Sequence, residues 1–523
     1  MMQIKSTFAL PSSWRNAEVC EVGTIITGNT PSKKDSRNYG NYIPFIKPPQ
    51  LLDTVVDQGE SYLSASGAEK GRIAPPFSIL VSCIGNLGKT GINRIPIAFN
   101  QQINAIAPYC GIEPLFLFYQ TQSGLFRQQL EEFSSATTIP IINKGNFERL
   151  ILQIAPLNEQ RRIVAKIEEL FSELDKGIES LKAARAKLNV YRQAVLKHAF
   201  EGKLTAQWRE ENKDKLETPE QLLARIKQER EARYEQQLKE WKTAVKEWEE
   251  GGKSGKKPAR SRMPKPVLTM AEEEIAHLES LPSGWLWLTA ESVGIVQLGR
   301  QRSPKNRSKD YPTRYIRAAN ITEKGLDLDD VLDMDFLPHE LSAYRLKKGD
   351  LVLSEASGSA AQVGKPAIWD DQIPNCCFQN TVIRHQPYCR DYAVYLLWLY
   401  RFFYVSGKFA QVAGGVGINH LSAFKFAQIA LPLCSLAEQQ EIVRLLEERF
   451  VAIEWQEREI NSALNQAEML RQSILKKAFS GQLVPQDPDD EPGSSLLERI
   501  KAEKEKAAQN NHSKKTKKRK TTA

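Results

Sequence analysis

The chain writes one long helical pattern twice, and that repetition limits the folds open to it more than any other feature. Residues 156–205 carry a pattern that returns at 432–484, about 279 residues later. Glu159-Gln160, Ile163-Val164, Glu168-Glu169 and Phe171 recur as Glu438-Gln439, Ile442-Val443, Glu447-Glu448 and Phe450. Arg192-Gln193, Leu196-Lys197 and Ala199-Phe200 recur as Arg471-Gln472, Leu475-Lys476 and Ala478-Phe479, and both copies stop at a glycine, Gly202 and Gly481. No gap separates the matched ends, as two rigid helices of equal length require. Apolar residues step by three and four through Ile163, Ile167, Leu170, Leu174, Leu181 and Leu188, and through Ile442, Leu446, Ile453, Ile460, Leu470 and Ile474. That spacing predicts a coiled-coil seam in which each helix covers the other's stripe.

The repeat extends beyond the helices. Leu10-Pro11-Ser12-Ser13-Trp14 opens the first half and Leu281-Pro282-Ser283-Gly284-Trp285 the second, while Ile142-Asn143 and Phe147 precede the first helix as Ile418-Asn419 and Phe424 precede the other. The unit is thus a globular segment followed by a long helix, used twice. The expected division is 1–155, globular; 156–205, first long helix; 206–280, charged helical insertion and flexible hinge; 281–435, second globular segment; 436–484, second long helix; and 485–523, a basic tail expected to be disordered. Short apolar runs broken by Gly, Pro and Asn predict strands at 24–27, 42–46, 78–82, 314–317, 350–354 and 381–384, with helices within 113–133 and 391–406. The class is α+β: two mixed α/β segments and two long helices related by a pseudo-two-fold.

The insertion is dense in Glu, Lys, Arg and Gln, which reads first as a solvated helix. Leu222-Leu223-Ala224-Arg225-Ile226-Lys227 nevertheless resembles Leu496-Leu497-Glu498-Arg499-Ile500-Lys501, so each long helix has a similar coda, and subunit docking is a second reading of both.

The formal charge of +9 hints only weakly at nucleic acid, because six of the positive charges lie within 514–520. Seven cysteines and six histidines show no metal-ligand spacing, and His420 stands alone in a loop. No apolar run approaches the roughly 20 residues of a membrane span, and the first ten residues lack a signal-peptide core, so a cytoplasmic location is expected. Gly85-Asn86-Leu87-Gly88-Lys89-Thr90 imitates a phosphate loop, but Cys83 stands where the first glycine belongs. No methyltransferase or helicase signature is present, and no catalytic residue is assigned.

Polar loops at matching places remain. Thr30, Lys33, Lys34, Arg37 and Tyr39 follow the first strand, as Arg300, Arg302, Lys305 and Arg307 follow its counterpart. Asn86 and Lys89 pair with Ser357 and Lys365, Gln101-Gln102 with Gln379-Asn380, and Asn143 with Asn419; Asn320 adds a further amide. Arg and Lys can neutralise phosphates, and Arg, Gln and Asn can read base edges. Any one of these loops would pass as ordinary solvated surface, so recurrence is the argument for a DNA-binding set.

The Glu-Gln helix openings and the two Arg-Gln-x-x-Leu-Lys-x-Ala-Phe-x-Gly endings make the chain resemble the specificity subunits of type I restriction-modification systems over nearly its whole length. The charged insertion near 213–266 departs from that pattern. The resemblance implies two target-recognition domains, each reading half of a split site on double-stranded DNA, and two long helices packed antiparallel to set the gap. It also implies two modification (methyltransferase) subunits and restriction subunits, which bring S-adenosylmethionine, ATP and magnesium for adenine methylation and cleavage, this chain binding none of them. Other classes open to the residues alone are a coiled-coil scaffold, a transcriptional DNA binder without an enzyme partner, or a nuclease or methyltransferase with an unrecognised centre.

Overall fold

A computed structural model describes the chain except residues 1–9, 136–138, 254–256, 259, 261–269, 303–309, 358–361, 415–418 and 521–523. Side chains at 356–357, 419 and 507–520 are also outside the described set. The chain divides into two compact units, one of residues 1–183 and 460–523, the other of residues 184–459. Each long helix, Leu157–Phe200 and Leu436–Phe479, has 44 residues and contributes to both units.

In the first unit, Arg15–Glu18 pairs antiparallel with Ile151–Ile154, bringing the start of the globular segment to its end. A five-stranded sheet runs Gly23–Thr27, Ile103–Pro108, Ile79–Ser82, Thr90–Ile92, Thr54–Val55. A four-stranded sheet runs Ser61–Leu63, Tyr39–Ile46, Ile97–Phe99, Ile73–Ala74. The region predicted as helical within 113–133 is two helices, Pro114–Thr121 and Gly124–Glu132. Their Phe116, Leu117 and Phe126 join Ile163, Ile167 and Phe171 from the first long helix and Ile474, Leu475, Ala478 and Phe479 from the second in one core.

The second unit repeats this frame. Leu286–Thr289 pairs with Ala430–Leu433, and a four-stranded sheet runs Gly294–Leu298, Val382–Pro387, Leu351–Ser354, Pro366–Ile368. The apolar helix Ala393–Val405 is core, as its Tyr, Leu and Trp content predicts. Here Val195, Leu196, Ala199 and Phe200 pack with Ile442 and Leu446, and Arg192 bonds to Glu457. Rising number in one helix meets falling number in the other, so the pairing is antiparallel.

Buried hydrogen bonds explain why the anchor residues recur. Trp14 Nε1 donates to Glu159 Oε1 at 3.0 Å, and Trp285 Nε1 donates to Glu438 Oε2 at 3.0 Å. Gln160 and Gln439 each donate to the carbonyl five residues earlier, Ala155 and Cys434, at 2.8 Å. An indole N–H and a carboxylate can be buried only with such partners, so both residue types are fixed. The glycines are fixed too. Gly202 and Gly481 have φ of +69° and +74°, and a Cβ on either would lie 2.4 Å from a proline Cγ, of Pro282 and Pro11 respectively. Each Leu-Pro-Ser opening therefore sits against the glycine that ends a long helix in its own unit.

Three expectations are corrected. Residues Gly493–Lys520 are helical where a disordered tail was expected: Leu496 and Ile500, four apart, enter the first unit's core, and Gly493 N–H donates to the Ser13 carbonyl. The insertion is not wholly solvated either, since helix Pro219–Glu250 buries Leu222 and Ile226 in the second unit's core. Most of the expected hinge after it lies outside the described residues. Leu470 is 52% exposed; the seam there runs through Ala467, Arg471 and Ile474, with the Arg471 guanidinium 4.3 Å from the Phe171 ring centre. Of the other seam residues, Ile163, Ile167, Leu188, Ile442, Leu446, Ile453 and Ile474 are buried, and Leu170, Leu174, Leu181 and Ile460 are partly so.

Candidate nucleic-acid interface

The duplicated frame delivers its unduplicated loops to the same edge in each unit. In the first, the strand Gly23–Thr27 ends at Gly28, where a Cβ would lie 2.1 Å from the Asn100 carbonyl oxygen. Only glycine permits that approach, and it brings the next residues against the 100–102 turn: Thr30 Oγ1 donates to Gln101 Oε1 at 2.7 Å. The Cys83 N–H donates to the Gln102 carbonyl at 2.7 Å, and the Ile142 N–H to the Cys83 carbonyl at 3.0 Å. Thr30, Gln101, Gln102, the loop bearing Asn86 and Lys89, and the start of the 142–147 segment thus meet. Asn86 and Gln101 are exposed, Lys89 and Gln102 partly so.

The second unit builds the same junction with other side chains. Gly299 lies as close to the Gln379 carbonyl, 2.1 Å from its built Cβ. Glu355 N–H donates to the Thr381 carbonyl at 2.9 Å, and Leu421 N–H to the Glu355 carbonyl at 2.8 Å. Ser82 and Ser354 turn their loops alike: each hydroxyl accepts from a lysine N–H, Lys89 at 2.9 Å and Lys365 at 3.0 Å. The matching of Lys89 with Lys365 therefore holds at the level of backbone geometry. Gln379 and Asn380 are half-buried on the facing turn.

Other expected residues have different surroundings. Lys33, Lys34 and Arg37 are exposed on the 30–38 excursion, where Arg37 pairs with Asp35 at 2.9 Å and holds that carboxyl down to about 2. Tyr39 belongs to the scaffold of this excursion, its hydroxyl donating to the Pro31 carbonyl at 2.8 Å. Asn143 caps the helix Lys144–Glu148 by accepting from Asn146 N–H at 2.8 Å. Its structural counterpart is Ser422, which caps Ala423–Ala427, so Phe426, fully buried, answers Phe147, while Phe424 is 76% exposed. Asn419 precedes that cap and pairs along the backbone with Ser357.

Arg300 is engaged internally: its guanidinium pairs with Glu340 at 2.8 Å and lies over Phe336, with 13% of the side chain exposed. Asn320 is 3% exposed and holds its own loop by donating to the Asp327 and Asp330 carbonyls. Arg302 is exposed, and Lys305 and Arg307 lie outside the described residues. Arg72 escaped the sequence reading because nothing in the second half answers it. It is exposed beside this edge, donating to the Thr27 carbonyl at 2.8 Å. His420, expected to stand alone, pairs with Glu355 at 2.7 Å.

No group of acidic, His and Cys side chains among the described residues could hold a metal ion, and none of their helices is long and apolar enough to cross a membrane. The model of the type I restriction modification DNA specificity domain matches residues 11–183 and again 287–466, covering both globular segments and most of both helices. The chain belongs to that family. Among curated type I specificity subunits, the EcoKI subunit of Escherichia coli K12 is 24% identical over 95% of this chain and 96% of its own length. The StySPI subunit of Salmonella potsdam is also 24% identical over the same shares. The HindI subunit of Haemophilus influenzae is 31% identical over 31% of this chain and 37% of its own. A chain solved in work on complex assembly and conformational transition of the type I R-M system has the same fold, with a TM-score of 0.62 at 17% identity, covering 91% of this chain and 100% of the other. The specificity-family match falls on each half separately, in step with the duplicated frame.

Proposed function

We propose that this chain is the DNA-recognition subunit of a type I restriction-modification complex, each globular segment reading one half of a split target on double-stranded DNA. The observation that carries the reading is the pairing of one frame with two unlike edges. The main-chain bonds at Cys83 and Glu355 correspond, while the side chains that reach the edge do not. Such a device presents two recognition surfaces in one geometry, with base edges read by side chains and phosphates held by Lys and Arg. The exposed Lys33, Lys34 and Arg72 supply the positive charge in the first unit, and Lys365 in the second. The chain directs two modification subunits, which methylate adenine with S-adenosylmethionine, and restriction subunits, which use ATP and magnesium. It supplies no catalytic group of its own.

Exchange of residues 14–147 for the matching segment of a relative with a different target tests the reading. The methylated motif is expected to change in one half and keep the other, as read by sequencing of modified DNA. A change in both halves would contradict modular recognition.

A further inference from the structure

The second unit sets a half-exposed imidazole against a buried carboxyl where the first has neither group, and the duplication itself supplies the comparison. Glu355 occupies the backbone position of Cys83: the N–H of each donates to the 100–102 or 379–381 turn, and the carbonyl of each accepts from the residue before the capped helix. His420 occupies the position of Ile141, since Ile141 bridges to Ile84 as His420 bridges to Ala356. The first unit closes this junction with a buried thiol and an apolar side chain, so the frame does not need an acid and an imidazole. Burying a carboxylate is costly unless it is paired and hydrogen-bonded. Here Glu355 has 8% of its side chain exposed, and the side-chain partner of its carboxyl among the described residues is His420 Nε2, at 2.7 Å. Burial raises the Glu355 carboxyl above its ordinary range, and the imidazole offsets part of that. The His420 side chain is 53% exposed, at the edge where Glu355 meets the 379–381 turn. Its Nδ1 has no partner among the described residues.

We infer that His420 is a DNA-contacting residue of the second recognition domain, held by Glu355 through Nε2 so that its Nδ1–H donates to an acceptor on the DNA. The acceptor is a phosphate oxygen or a base-edge atom of the half-site read by residues 281–435. Glu355 is the positioning residue: it fixes the ring without reaching the DNA. This inference rests on the proposed DNA-recognition function.

The test uses the complex of the full chain with its modification subunits. His420→Gln, Glu355→Gln and the double variant Glu355→Cys/His420→Ile, which copies the other unit's residues, are compared with the parent for melting temperature, salt dependence of DNA binding and methylated motif. His420→Gln is expected to weaken specific binding about ten-fold or more. A base contact relaxes the motif in the second half alone; a phosphate contact leaves the motif and lowers the salt slope by about one. Glu355→Gln should give the same change to a smaller degree, and the double variant should melt with the parent yet bind like His420→Gln. Unchanged affinity, slope and motif in His420→Gln, with the parent methylating a split site, would overturn the inference and leave the functional reading standing. If the parent methylates no split site, the reading falls and the inference with it.

Discussion

Glu438→Ala is expected to destabilise the unit of residues 184–459 by about 3–5 kcal/mol, among the largest effects of any single substitution in the chain. The carboxylate is 2% exposed and collects three donors: Trp285 Nε1 at 3.0 Å, Thr205 Oγ1 at 2.7 Å and Arg209 Nε at 2.9 Å. Its loss leaves the Arg209 guanidinium, 14% exposed, without its counter-ion and strands two further buried donors. The equivalent Glu159 accepts from the neutral groups Trp14 Nε1 and Gln486 Nε2, while Arg162 pairs separately with Asp490. Glu159→Ala should therefore cost less, about 1–3 kcal/mol. Denaturant unfolding of both variants measures the difference. Equal losses, or a larger one at Glu159, would show that the charged partner is not what makes the second anchor costly to break.

Lengthening both long helices together is expected to move the DNA target's spacer and nothing else. Four residues inserted after Ala183 and four after Glu459, where the chain divides between units, add about 6 Å to each helix and a little over one turn, so the apolar faces stay nearly in phase. If the helices set the gap between half-sites, the preferred spacer should grow by one or two base pairs at roughly 3.4 Å each. Binding to the original site should fall by about a hundred-fold or more, since one half-site contact is lost. Selection from DNA with randomised spacer lengths reads the result. An active variant that keeps the original spacer would show that the helices do not set it.

What could be read in the sequence depends on which atoms each contact uses. Trp14, Glu159, Gln160 and Gly481, with their partners in the other half, had to recur because side-chain hydrogen bonds and a proline contact admit few alternatives. Strands recur without a sequence trace because main-chain bonds ignore residue type: Cys83 and Glu355 make the same two. The pairing of Asn143 with Asn419 failed for a related reason. A cap accepts Asn or Ser equally, so the correct partner, Ser422, looked unrelated. Arg300 resembled a free basic residue because its partner, Glu340, lies forty residues away. Leu470 failed because adjacent phases of a three-and-four pattern look alike in a sequence rich in Leu and Ala. In the tail, charge concealed a helix that two apolar residues anchor, and Leu496-Leu497 matching Leu222-Leu223 was the sign of it.

Single-molecule sequencing of DNA from cells that make the modification subunit, with and without this chain, tests the central claim most directly. The account predicts one split motif, two specific halves around an unread spacer, methylated only when the chain is present. Methylation that is the same with and without the chain would contradict it.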